Sequence, residues 1–84
     1  MRVRDAALRQ LAEAHLPDLA LSAQATRIHQ LSVRYATSSW RFDRMRDEMP
    51  RAYEGTPHEW LWRAFKSGAA MPLGVRQLRT VLGP

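Results

Sequence analysis

Apolar residues recur along this chain at intervals of three, four and seven, and no stretch alternates convincingly at two. That pattern predicts helices and no strands. Leu8, Leu11, Ala12 and Leu16 mark a first amphipathic helix from Arg2 to Leu16. It ends at Pro17, which pushes the residue before it out of helical geometry. Leu21, Ile28, Tyr35, Phe42 and Met49 then fall seven apart, and Ser22 to Met49 contains neither glycine nor proline. This spacing predicts one long helix with Ser22 as its N-cap. The competing prediction is a break at Thr37-Ser38-Ser39, with Ser39 capping a second helix.

On an unbroken helix, Ile28, Leu31, Tyr35, Phe42, Met45 and Met49 share a sector about 100° wide. Arg27, Arg34 and Arg41 flank that sector, and Gln30 and Arg44 continue the flank. Val33, Ala36 and Trp40 lie nearly opposite. Pro50 closes the segment, and Arg51 to Gly55 reads as a loop.

Thr56-Pro57-His58-Glu59 carries the sharpest local signal. Threonine at the cap, proline at the first helical position and glutamate three residues after the cap predict a helix from Pro57 to Ser67. Gly68 stops it, and Trp60, Leu61, Ala64 and Phe65 face inward. A last helix is expected from Pro72, with Leu73, Val75, Leu78, Val81 and Leu82 as its buried stripe and Gly83-Pro84 at its end.

These elements amount to one all-α domain over residues 1–84, a small bundle of four to five helices. A long central helix and a C-terminal helical hairpin define it. The expected core is Leu8, Leu11, Ile28, Leu31, Tyr35, Phe42, Trp60, Leu61, Phe65, Leu78 and Leu82. A helix-turn-helix is the rival to the plain hairpin, because Ala64 and Gly68 have its turn spacing and Arg76, Gln77, Arg79 and Thr80 suit a recognition helix. Gly74 and Pro72 stand where that motif needs an aliphatic side chain and a turn, so the plain hairpin is preferred.

Charge changes the picture more than composition does. The chain of 84 residues carries a formal net charge of +5, and twelve of its thirteen basic residues are arginine. A GC-rich coding sequence would give the same bias, but guanidinium groups also fork onto phosphate or carboxylate as lysine cannot. From Ser22 to Phe42 there is no acid, and from Trp60 to Pro84 there is none either. Such stretches favour phosphate backbones or an acidic protein surface. Tryptophan interleaves with arginine at Trp40-Arg41-Phe42 and at Trp60-Leu61-Trp62-Arg63, where each indole either fills the core or anchors a contact.

Other chemistries find little support. With no cysteine there is neither disulfide nor thiolate chemistry, which fits a reducing, cytoplasmic setting. No apolar run reaches the ~18 residues that span a bilayer, and no apolar segment follows the charged start as a secretory leader requires. His58-Glu59 begins like a zinc helix, but Trp62 stands where the second histidine belongs, so neither metal nor cofactor is expected. Asp43, Asp47 and Glu48 read as solvated ion-pair partners of Arg44, Arg46 and Arg51. No nucleophile elbow or phosphate loop occurs, and catalysis is not expected.

The sequence therefore points to a small, basic, non-enzymatic regulator that binds nucleic acid. Its candidate contacts are Arg27, Arg34, Trp40, Arg41, Arg44, Trp62, Arg63, Lys66, Arg76 and Arg79. The alternative is an accessory or inhibitor protein, encoded by a phage or mobile element, that blocks a larger nucleic-acid-handling complex through an acidic surface. A structural subunit of an assembly comes third. Homodimerisation enters because a long middle helix offers more apolar surface than one short neighbour covers.

Overall fold

A computed structural model of the chain describes residues 3–72 and 74–83, so the expectations for Arg2, Leu73 and Pro84 lie outside the described residues. Five α-helices follow in order: α1 (Val3–His15), α2 (Leu21–Thr37), α3 (Trp40–Asp43), α4 (Pro57–Lys66) and α5 (Val75–Leu82). A 3-10 turn at Arg51–Tyr53 precedes α4, and no strand occurs among the described residues. The radius of gyration is 11.9 Å, as a compact chain of this length should give.

The helices close a ring. α1 packs along α4 on one side and against α5 on the other, α5 packs along α2, and α3 links α2 back to α4. Leu8 and Leu11 of α1, Ile28 and Tyr35 of α2, Leu61 of α4 and Leu78 of α5 meet inside, all fully buried. The stripe residues Leu31, Trp60, Phe65 and Leu82 pack against this cluster at its edge. Side-chain donors tie the ring together at two backbone carbonyls near helix ends. Arg9 Nε donates to the Val81 carbonyl at the end of α5 (2.8 Å), and Gln24 Nε2 donates to the Leu16 carbonyl in the turn between α1 and α2 (2.9 Å).

The long central helix is the first correction. α2 stops at Thr37, and Ser38 leaves helical geometry with φ −125° and ψ −98°. Hydroxyls end it: Thr37 Oγ1 donates to the Val33 carbonyl (3.0 Å) and Ser38 Oγ to the Arg34 carbonyl (2.6 Å), satisfying the last turn locally. The break at Thr37-Ser38-Ser39 is therefore the prediction that holds, although Ser39 makes no side-chain cap bond. Its consequence is a rotation. Trp40 turns in to lie 5.9 Å from the Tyr35 ring and 5.3 Å from Phe65, and Phe42, expected in the core, is left 71% exposed.

Two further corrections concern α4 and α5. They do not form the expected hairpin, because α4 takes α1 as its partner and α5 takes α2. That arrangement also rules out a packed helix-turn-helix pair. α5 begins at Val75 after an extended Gly74, three residues later than Pro72 suggested. The Thr56 and Pro57 positions are as expected, with a displaced box: Thr56 Oγ1 donates to the Tyr53 carbonyl (2.7 Å), and Glu59 Oε1 accepts from the Gly55 N–H (3.0 Å). α2 starts at Leu21 with Ala20 as its cap, which leaves Ser22 inside the first turn.

Candidate nucleic-acid interface

α2 and α5 contain four arginines and no acidic residue. Arg27, Arg34, Arg76 and Arg79 are all exposed, and the two helices that carry them are packed on each other. The closest acids in sequence, Asp18 and Asp43, lie beyond the ends of α2, and Asp43 is turned inward. Arg27 Nη1 reaches Gln30 Oε1 at 3.4 Å, while the ion pairs among the described residues involve Arg4, Arg46 and Arg63. Among the described residues, none of these four guanidinium groups is paired with a carboxylate.

Two shallow clefts shape this layer. Leu21, Arg76, Arg79, Thr80 and Gly83 line one of about 320 Å³, and Arg27, Gln30, Leu31 and Arg34 line another of about 270 Å³. At the edge of the first, a Cβ on Gly83 would come within 2.7 Å of Leu21 Cδ2, the flexible end of an exposed side chain that can give way. The end of α5 lies against the start of α2, with Gly83 beside Leu21. That approach brings Arg76 and Arg79 alongside a helix whose own arginines, Arg27 and Arg34, stand about 10 Å apart along its axis.

The remaining candidates sit elsewhere. Arg63 and Lys66, expected to form one patch with Arg76 and Arg79, belong to α4. Arg63 is partly committed: its Nε lies 3.6 Å from Glu59 Oε2, and its guanidinium rests 5.5 Å over the Trp60 ring. Lys66 Nζ donates to the Arg44 carbonyl at 3.1 Å. Trp62 is half-buried and lines a groove of about 480 Å³ between α1 and α4, with Val3, Ala6 and Ala7 opposite. Its indole N–H is buried without a hydrogen-bond partner among the described residues. Trp40 belongs to the aromatic cluster around Tyr35 and is not displayed. Arg41 and Arg44 are exposed on the short turn that carries Phe42 and Met45.

That turn holds the feature the sequence concealed. Asp43, expected as a solvated ion-pair partner, is 4% exposed. Its Oδ2 accepts hydrogen bonds from both tyrosine hydroxyls of the chain, Tyr35 Oη at 2.9 Å and Tyr53 Oη, while Arg46 Nε lies 3.5 Å from Oδ1. Tyr35 also stacks edge-on against Phe65 at 5.0 Å and His58 at 5.6 Å. The latch therefore ties α2, the α3 turn, the 3-10 turn and α4 together. The only sequence hint was the hydroxyl run at Thr37-Ser38-Ser39, since a break there reorients everything after it.

Burial and the bond to Asp43 raise the Tyr35 phenol far above its usual range, and the same causes raise Tyr53 less strongly. Both folded values exceed the unfolded one, so this contribution to stability is complete below about pH 10 and is lost as the pH climbs beyond it. Denaturant unfolding followed from neutral to strongly alkaline pH should give a flat stability and then a decline. The tyrosinate absorbance should appear together with unfolding, not before it.

Among the described residues no helix is long and apolar enough to cross a membrane, and no group of three or more His, Asp or Glu is placed to hold a metal ion. No protein-family model, curated protein or solved structure matches this chain.

Proposed function

We propose that this chain is a small non-enzymatic regulator that binds nucleic acid through the arginines of its α2 and α5 layer. The observation that carries the reading is the acid-free pair of packed helices bearing Arg27, Arg34, Arg76 and Arg79, all exposed and, among the described residues, unpaired with a carboxylate. Guanidinium groups on a rigid frame track phosphates without needing base contacts. Because α4 and α5 pack on different partners, no turn presents α5 as a recognition helix. The binding is therefore backbone-directed, with little sequence preference.

The rival role, occupation of an acidic protein surface, would use the same four groups. Fluorescence anisotropy at low salt with labelled duplex and single-stranded oligonucleotides separates the two. Binding of unrelated sequences with similar affinity is expected. Absence of binding to every nucleic acid tested ends the reading, and a partner retained from lysate after nuclease treatment would favour the protein-directed role.

A further inference from the structure

The groove between α1 and α4 has a volume of about 480 Å³, within the range of about 300–1,000 Å³ that small-molecule sites occupy. Val3, Ala6, Ala7 and Gln10 recur at helical spacing, so one face of α1 forms its first wall. The two methyl side chains in the middle of that wall leave room that longer ones would fill. Trp60 and Trp62 of α4 supply the aromatic surface.

The polar groups of the lining select the chemistry of an occupant. Arg63 and Lys66 are its charged members, and no acid lines the groove. Arg63 shares its charge with Glu59, 3.6 Å from its Nε. Lys66 Nζ donates to a neutral group, the Arg44 carbonyl, at 3.1 Å. The rim is therefore net positive. The Trp62 indole N–H is buried and has no hydrogen-bond partner among the described residues. Buried donors are nearly always paired, so this one stands ready for an acceptor. A carboxylate offers acceptors alone and carries the charge that Lys66 leaves unmatched. A nucleobase fits less well, because its polar ring edge would lie against Val3, Ala6 and Ala7.

We infer that the α1–α4 groove is a binding site for a small, flat aromatic carboxylate. The ring system lies against the indoles and the alanine wall, and the carboxylate sits beside Lys66 and Arg63. The Trp62 N–H is closed off from solvent, so the indole swings toward the groove to donate to a carboxylate oxygen. The inference does not rest on nucleic-acid binding, which uses the α2 and α5 layer.

Proton–nitrogen NMR of the full chain tests it, with 2-naphthoate as the probe. The three tryptophans give three indole N–H resonances. That of Trp62 should move downfield and saturate at millimolar naphthoate. The neutral isostere 2-naphthamide should bind at least about tenfold more weakly. Arg63→Ala combined with Lys66→Ala changes two exposed side chains. It should abolish the preference for the acid while naphthamide still binds, which shows the groove intact. A Trp62 resonance that does not respond, or that shifts without saturating, overturns the inference. So does equal affinity for acid and amide in wild type, or a preference that survives in the double variant. Tighter binding of adenosine monophosphate than of naphthoate would also overturn it, by giving the groove to a nucleotide.

Discussion

Asp43→Ala should be the most destabilising single substitution outside the aliphatic core. It removes the acceptor shared by Tyr35 and Tyr53, and an unpaired buried hydroxyl costs about 1–3 kcal/mol. Tyr35 is fully buried, whereas Tyr53 is partly exposed and can turn to water, so the total should be ~2–4 kcal/mol rather than twice the single-group value. A domain of this size has only about 4–13 kcal/mol in all. The melting temperature should therefore fall by roughly 8–32 °C, taking about 4–8 °C per kcal/mol. Asp43→Asn keeps one acceptor oxygen and should lose only about 1 kcal/mol. Tyr35→Phe combined with Asp43→Ala should cost less than the two changes summed, because they remove the same bond. Thermal unfolding by circular dichroism reads all of these. A melting point unchanged in Asp43→Ala would mean that the latch does not hold the turn.

The second large effect concerns binding. Changing Arg27, Arg34, Arg76 and Arg79 together to alanine should weaken oligonucleotide binding at least about a hundredfold, or ~2.8 kcal/mol. All four side chains are exposed, so the fold should survive and the loss should be electrostatic. The control is Arg41→Ala with Arg44→Ala, which removes positive charge from the exposed turn that follows α2. Its effect on affinity should be at least about tenfold smaller than that of the fourfold variant, because exposed charges outside the contact are screened by salt. Equal losses in both variants would mean that net charge, and not the α2 and α5 layer, governs binding.

How far the sequence disclosed this structure depends on which interactions are local. α1, the start of α4 at Pro57 and the burial of Leu8, Leu11, Ile28, Leu61 and Leu78 follow from periodicity and caps. Those signals act over one or two turns. The seven-residue series failed at Phe42 because it assumed a continuous helix across three hydroxyl residues, two of which, Thr37 and Ser38, return their side chains to the backbone. Once Ser38 breaks the phase, the turn that follows changes face, so Trp40 enters and Phe42 and Met45 leave. Asp43 was illegible for a different reason. Its partners lie eight and ten residues away, and nothing in the spacing of an aspartate between arginines announces two tyrosine hydroxyls.

The candidate surface was legible in part. Acid-free arginine stretches were visible from Ser22 to Phe42 and from Trp60 to Pro84. The choice of helix partners then decided which arginine-bearing helices pack together. It placed Arg76 and Arg79 beside α2 and put Arg63 and Lys66 on α4 against α1.

The measurement closest to the central claim is the salt dependence of binding to a random-sequence duplex, for wild type and for the fourfold arginine variant. Each phosphate neutralised contributes about 0.9 to the slope of log K against log salt. Wild type should therefore show a slope of about −3 to −4, and the variant a slope near zero with little residual affinity. Equal slopes in the two proteins, or no binding by wild type at low salt, would contradict an arginine face on α2 and α5 that holds a phosphate backbone.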